Sequence, residues 1–246
     1  MTEDSAFFVI GENRSGSWVV TVDHARNRIP DWIGDLGLDP ADLDRHIAFD
    51  PGAEGVALAL GEILDAPVVA SNFSRLVIDP NRGADDPTLV MQLYDGTLIP
   101  GNRHLTETDR TDRHDRLYAP YHVAVAAALA ARADPVLLAI HSFTPQLNGR
   151  PPRPWDIGVL FADDDRLSMA LVRSLQSDPS LTVGVNEPYV GHLPGDSVDT
   201  HALRQGRHNT LIELRNDLID TAAKQQAWAA RLAPHLTKAL SQVATA

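Results

Sequence analysis

The sequence contains no cysteine among its 246 residues. Disulfide bridges, thiolate zinc sites and cysteine nucleophiles are therefore excluded. Any metal site must take its ligands from histidine, aspartate and glutamate, and the chain has 10 histidines and 33 acidic residues.

Basic residues are also scarce, with 21 Lys and Arg against 33 Asp and Glu, which gives a formal net charge of -12. This balance disfavours nucleic acid or an anionic membrane as the main partner. No apolar run approaches the roughly 18 residues of a membrane span, and the first stretch, MTEDSAFFVIGEN, lacks the basic start of a signal peptide. We therefore expect a cytoplasmic protein with no nucleic-acid or membrane partner.

Short apolar segments alternate with amphipathic ones along the chain, which indicates an α/β fold. The length and a hydrophobic content of 43% suit one domain over residues 1–246. The predicted strands are Trp18–Val22, Pro67–Ala70, Pro135–Ile140, Ile157–Phe161, Leu181–Val185 and Thr210–Asp217. The predicted helices are residues 40–47, a segment beginning at Pro51, a segment from Glu107 kinked at Pro120, residues 165–177 and residues 220–243. Strands that are apolar on both faces are typical of a parallel sheet covered by helices.

Two histidines follow predicted strands directly. His24 comes after the first predicted strand, together with Asp23, and His141 comes after the third. Ligands of an open α/β sheet bind at the carboxyl ends of its strands, where two imidazoles and one carboxylate would form the open site of a catalytic zinc. Two alternatives remain at this point. Asp23 and His24 could simply share a loop hydrogen bond, or Ser142 could be a nucleophile with His141 as its base.

Asp50 precedes Pro51 at the start of a predicted helix. An aspartate followed by proline is typical of a helix cap and a first helical position. The alternative is that the Asp50 carboxylate points into the same cleft as His24.

The loop after the second predicted strand carries two arginines, Arg75 and Arg82, together with Asp79 and Asn81. A guanidinium group matches a carboxylate in a bidentate manner, and Asn81 adds an amide donor. These residues are candidates for a site that binds the carboxylate of a small acidic substrate. The alternative is an internal ion pair between Arg75 and Asp79.

Glu213 lies between apolar neighbours in the last predicted strand. A buried carboxylate needs a partner or a catalytic role. Beside a water activated by a metal it would be the general base, taking a proton and passing it to a leaving amine. The alternative is an ion pair between Glu213 and Arg215.

Five separated blocks of the chain, in this order, resemble the N-formylglutamate amidohydrolase family across roughly residues 18–220. The blocks are DHARNRIP, HIAFDPGA, SRLVIDPNR, AIHSFTP and LIELRND. The family is similar in fold to the zinc carboxypeptidases and aspartoacylases, so the resemblance implies a three-layer α/β/α fold with a mixed, largely parallel sheet. It implies one Zn²⁺ per chain, with His24 and His141 as ligands, Asn81 and Arg82 as a carboxylate clamp and Glu213 as the base.

The chain departs from the HxxE motif of the carboxypeptidases, because Asn27 stands where that motif has glutamate. A neutral amide is a poor zinc ligand, so we expect Asp50 to be the third ligand, with Asn27 as the lesser candidate.

The predicted function is hydrolysis of an N-acyl amino acid, with N-formylglutamate expected from the family. The substrate would be a small anion held by Arg82 and Arg75, with Arg215 as a further cation for an acidic side chain. One alternative is a zinc hydrolase of another N-acyl amino acid or of a peptide C-terminus. The other is a noncatalytic binding protein that has kept the fold.

Overall fold

A computed structural model describes residues 5–243 of the chain. The strands are β1 Phe7–Ile10, β2 Trp18–Val22, β3 Val68–Ser71, β4 Leu93–Tyr94, β5 Thr97–Leu98, β6 Val136–Phe143, β7 Ile157–Leu160, β8 Val183–Val185 and β9 Asn209–Arg215. The α-helices are α1 Pro40–Leu43, α2 Ala53–Ile63, α3 Glu107–Arg113, α4 Ala119–Ala130, α5 Arg166–Gln176, α6 Ser197–His201 and α7 Ala222–Val243. A π-helical turn, His114–Tyr118, joins α3 to α4.

Seven strands form one sheet in the order β1-β3-β2-β6-β9-β7-β8. The four central strands β3, β2, β6 and β9 run parallel to one another. β1 is antiparallel to β3, and β7 is antiparallel to β9 while β8 runs parallel to β7. The predicted mixed, largely parallel sheet is therefore confirmed.

Helices cover both faces of this sheet. One apolar core lies under α2, α5 and α7 and takes alternate residues of the central strands, such as Val20 and Leu138. The other core lies under α4 and takes the residues between them, such as Val19 and Leu137. The predicted three-layer α/β/α arrangement is therefore confirmed.

The alternation of side chains along the strands also determines which residues reach the site. Leu137, Ala139 and His141 lie on the α4 side of β6, since successive residues of a strand point to opposite faces. Leu211 and Glu213 lie on the same side of the neighbouring strand β9, where Glu213 is opposite His141 in register. The site therefore forms on the α4 side, toward the carboxyl ends of the parallel strands.

Several elements differ from the sequence prediction. The edge strand β1 was not predicted, and α1 ends at Leu43 rather than at residue 47. The segment from Glu107 is interrupted by the π-helical turn, and Pro120 lies in the first turn of the helix α4 that follows. Residues 83–106, where no strand or helix was predicted, include the two-stranded hairpin of β4 and β5.

Among residues 5–243, no helix is both long enough and apolar enough to cross a membrane.

Candidate active site

Two buried histidines meet at the carboxyl ends of β2 and β6. Their rings, His24 and His141, have centroids 5.0 Å apart. Asp50 Oδ2 lies 3.3 Å from His24 Nδ1 and 2.8 Å from His141 Nδ1. One ligand atom from each of these three side chains lies within 4.8 Å of the other two, and all three side chains are buried. The structure thus brings together the three predicted metal ligands.

The start of α2 explains why the Asp50 carboxylate is available. The N-cap of this helix is Gly52, which has a φ of 84° and makes no side-chain cap. A Cβ atom at Gly52 would lie 2.3 Å from the carbonyl oxygen of Ile219, so only glycine fits there. The helix-cap interpretation of Asp50 is therefore wrong. Its carboxylate lies in the cleft beside His24, which was the alternative.

Two further carboxylates bind the outer ring nitrogens of the histidines. His24 Nε2 lies 2.7 Å from Asp79 Oδ1, and His141 Nε2 lies 3.1 Å from Asp23 Oδ2. Tyr121 Oη donates a hydrogen bond of 2.6 Å to the other oxygen of Asp23. Metal-ligating histidines usually donate their second ring N–H to a carboxylate, which fixes the ring and its tautomer. Both histidines have this environment.

The charges of the cluster suit a cation. Burial lowers the pKa of His141, but its hydrogen bonds to Asp23 and Asp50 outweigh burial and place the pKa well above its ordinary value. Burial raises the pKa of Asp50, but the charge of His24 and the hydrogen bonds of both histidines hold it well below its ordinary value. The carboxylates thus stabilise a positive charge on His141. A divalent cation bound to the same atoms would take the place of that proton.

Glu213 faces the cavity from β9. Its carboxyl group is buried, and Oε2 has no hydrogen-bond partner among the described residues. Burial is the main reason that the pKa of Glu213 rises to about 7. The expected alternative, an ion pair with Arg215, is wrong, because Arg215 pairs with Asp156 at 3.3 Å and Asp217 at 2.8 Å.

Arg215 therefore does not reach the predicted substrate site. Its guanidinium also donates to the carbonyl oxygen of Trp155, and the residue does not line the cavity. Arg215 follows Glu213 by two residues on the same face of β9, so it lies beyond the cavity rather than in it. The expectation that Arg215 binds substrate is not supported by this placement.

The serine-nucleophile interpretation fails. Ser142 Oγ donates to the carbonyl oxygen of Pro51 at 2.9 Å, while both ring nitrogens of His141 face carboxylates, so the proposed serine nucleophile has no base. Asn27, the lesser candidate for a metal ligand, donates from Nδ2 to the carbonyl oxygen of Leu43 at 2.8 Å and does not line the cavity.

Arg75 lines the cavity but is already paired. Its Nη2 donates to Asp79 at 2.8 Å and its Nη1 lies 3.5 Å from Asp50. Burial lowers the pKa of Arg75, but the charges of these and other neighbours outweigh burial and raise it. The internal pair with Asp79 that the sequence left open is therefore present in the structure.

Arg82 and Asn81 also line the cavity, and several of their N–H donors make no hydrogen bond with the described residues. Arg82 reaches Asp79 only at 4.0 Å, and its nearer contacts are the neutral oxygens of Asn81 and Thr88. The side-chain oxygen of Asn81 accepts from the backbone N–H of Ser197 at 3.4 Å. This contact leaves the Asn81 amide donors for another partner.

The cavity has a volume of about 190 Å³. Its polar lining includes three residues that the sequence analysis did not select, His46, Tyr94 and Asp196. They come from loops and a two-residue strand, which carry no periodic signal. The apolar part of the lining is Phe143, Leu160, Val190, Leu193, Leu211 and the ring of Tyr189, which also carries a hydroxyl group.

Comparisons with known proteins show the fold and the family of this chain. A gene product from Agrobacterium tumefaciens with a solved structure is 38% identical, with a TM-score of 0.93 over 98% of this chain and 97% of that one. An N-formylglutamate amidohydrolase from Ralstonia eutropha JMP134 has the same fold, with 23% identity and a TM-score of 0.71 over 98% of this chain and 99% of that one. Among curated proteins no significant match is found. Residues 16–220 match the model of the family described as N-formylglutamate amidohydrolase. The chain therefore belongs to the N-formylglutamate amidohydrolase family, as the five sequence blocks predicted.

Proposed function

We propose that this protein is a zinc-dependent amidohydrolase that cleaves N-acyl amino acids, with N-formylglutamate as the expected substrate. One observation carries the proposal. The ligand atoms of His24, Asp50 and His141 converge in a cavity that also contains the unpartnered carboxyl group of Glu213. Membership of the family supports a hydrolase.

The donor set fits a zinc ion. Two imidazole nitrogens and one carboxylate oxygen are the ligands of many catalytic zinc sites, which keep one coordination position open. The carboxylates of Asp23 and Asp79 behind the two histidines supply the outer support that such ligands need. A zinc ion bound there would supply Lewis-acid polarisation of the acyl carbonyl and would acidify a water molecule.

Glu213 is the group in this cavity to which we assign proton transfer. Its raised pKa places the carboxylate near the acidity that suits a general base at neutral pH. We assign it two transfers. It accepts a proton from water as the water oxygen adds to the acyl carbon, and it delivers a proton to the nitrogen as the C–N bond breaks. The products are a free amino acid and a small carboxylic acid, such as formate.

Asn81 and Arg82 would orient the substrate. Within residues 5–243, the Arg82 guanidinium approaches a carboxylate only at 4.0 Å, that of Asp79, and the amide donors of Asn81 make no hydrogen bond. A carboxylate on the substrate would satisfy both and would hold the scissile amide toward the metal ligands. Arg75 adds positive charge to the cavity but is held by Asp79 and Asp50, so we assign it the lesser part in binding.

The proposal is tested by metal analysis and hydrolysis on one preparation. Protein purified without chelator or nickel resin is expected to contain about one zinc per chain. It should also release formate and glutamate from N-formylglutamate, measured against N-acetylglutamate and a peptide with a free C-terminus. A protein that binds no metal and hydrolyses none of these after zinc is added would be a noncatalytic member of the fold.

The contact between Asp79 and the ring of His24 gives a further prediction. Asp79→Asn removes the carboxylate that contacts His24 Nε2 at 2.7 Å and is expected to weaken zinc binding by about 10- to 100-fold. Competition with a chromophoric chelator measures this change.

Asp85→Asn is the matched control, because Asp85 is exposed in the same loop. It should bind zinc as the parent chain does. Because Asp79 also pairs with Arg75, thermal unfolding of each variant must be followed beside zinc binding. An Asp79→Asn variant with the zinc affinity of the parent chain would show that this carboxylate does not support the ligand.

A further inference from the structure

Arg153 is a cation beside the cavity that has no acidic partner among the described residues. Its Nη1 donates to the carbonyl oxygen of Thr144 and to Tyr189 Oη, both at 3.1 Å. The cavity arginine Arg75, in contrast, is paired with two aspartates. The charge of Arg153 is therefore available to a ligand.

The guanidinium of Arg153 lies against the lining of the cavity. It is 4.9 Å from the ring centroid of Tyr189 and 5.7 Å from that of Phe143, and both rings line the cavity. Its charge also reaches His46, another lining residue, where burial is the main cause of a lowered pKa and Arg153 contributes to the same shift.

The hydrogen bonds of this pair leave donors free for an anion. Both contacts of Arg153 use Nη1, and Nε and Nη2 make no hydrogen bond with the described residues. Tyr189 Oη accepts from Arg153, so its own hydrogen can be donated elsewhere. A guanidinium and a hydroxyl with free N–H and O–H groups are suitable donors for a carboxylate.

Arg82 and Arg153 contact different parts of the lining, the first beside Asn81 and the second beside Phe143 and Tyr189. We propose that Arg153 is a specificity-determining residue that, with the Tyr189 hydroxyl, binds a second carboxylate on the substrate. The inference rests on the proposed function and deepens it, since it names the residue that would recognise the acidic side chain of the expected substrate. The second cation that was expected from Arg215 comes from Arg153.

Binding tests this subsite without depending on catalysis. Titration calorimetry with L-glutamate and L-glutamine compares two amino acids of the same length that differ in the side-chain charge. The parent chain is expected to bind glutamate about 10- to 100-fold more tightly, and Arg153→Gln is expected to remove that preference. Arg153→Lys, which keeps the charge, should retain part of it.

Arg150→Gln is the matched control, because Arg150 is exposed in the same loop. It should keep the full preference for glutamate. A parent chain that binds the two amino acids equally, or binds neither, would overturn the inference. So would an Arg153→Gln variant that binds both more weakly by the same factor, because Arg153 would then act only on the structure of the loop.

Hydrolysis of N-formylglutamate and N-formylglutamine separates this inference from the proposed function. An Arg153→Gln variant with a lower kcat/KM for N-formylglutamate and an unchanged kcat/KM for N-formylglutamine supports both the amidohydrolase function and the carboxylate subsite. If the parent chain hydrolyses neither substrate but still shows the glutamate preference that Arg153 provides, the carboxylate subsite stands and the amidohydrolase assignment is wrong.

Discussion

The His141→Ala variant is expected to lose its bound zinc and its hydrolytic activity together. His141 Nδ1 lies 2.8 Å from Asp50 Oδ2 and supplies one of only three ligand atoms in the cluster. Because Lewis-acid catalysis by a metal contributes several kcal/mol, the rate on N-formylglutamate should fall at least about 1,000-fold. Metal analysis by mass spectrometry and formate release on the same sample measure both effects.

The stability of this variant needs its own measurement. Removing His141 leaves the buried carboxylates of Asp23 and Asp50 without one of their partners, and unpaired buried charges are costly. His141→Gln keeps hydrogen-bonding groups at the position and is the companion variant. The matched control is His235→Ala, because His235 lies on α7 and bonds Ser174 on the other side of the sheet. A folded His141→Ala protein with full zinc content would contradict the ligand assignment.

The central strands were predictable because their signal is local. β2, β6 and β9 are buried along almost their whole length, and short apolar runs such as WVV, VLLAI and LI mark the interior of each strand. β1 is different. Three of its four residues, Phe7, Val9 and Ile10, are only partly buried, and its pairing depends on β3, which lies far along the chain. The run FFVI is a strand signal by composition, but the sequence does not show which strand it pairs with.

The residues of the site likewise differ in how well the sequence predicts them. His24, His141 and Glu213 were predictable because each lies at or near the end of a recognisable strand, and parallel strands bring those ends together. Asp50 was ambiguous because an Asp-Pro pair suits both a helix cap and a free carboxylate. The backbone of Gly52, which begins α2, resolves that ambiguity, and only the folded chain shows it.

Arg153 was not selected from the sequence, because no pattern marks the loop in which it lies. It lies in the proline-rich loop QLNGRPPRPWD, which has neither helical nor strand periodicity. The residue is notable because it has no acidic partner among residues 5–243 and because it contacts the rings of Phe143 and Tyr189. Arg215 is the last residue of a recognisable strand and was expected to be a further cation for the substrate, yet Asp156 and Asp217 neutralise it. Ion pairing across the fold, rather than position in the sequence, distinguishes the two arginines.

Glu213→Gln is expected to reduce kcat by roughly 100- to 10,000-fold while the bound zinc remains, which is the range for loss of a general base. The amide has nearly the same shape as the carboxyl group but cannot accept the proton. Since Oε2 has no hydrogen-bond partner among the described residues, the substitution should disturb the packing little. Formate release under saturating N-formylglutamate, with zinc content measured in parallel, tests this expectation.

The pH profile gives a second readout of the same group. A base must be ionised to act, so kcat/KM of the parent chain should rise with pH as Glu213 loses its proton. The pKa of about 7 applies to the protein without metal, and a cation bound nearby would lower it, so the acidic limb is expected below pH 7. Glu213→Gln should lose this limb.

The matched control for this variant is Glu187→Gln, which makes the same change at an exposed position in the loop that carries Tyr189. It should keep both the rate and the acidic limb, because an exposed carboxylate takes no part in the reaction. That result would rule out a general electrostatic effect of removing one negative charge. A Glu213→Gln protein that loses zinc would identify Glu213 as a ligand rather than a base. One that keeps zinc and the parental rate would assign the proton transfers to another group. Only loss of rate with zinc retained leaves the carboxylate of Glu213 as the proton carrier of this cavity.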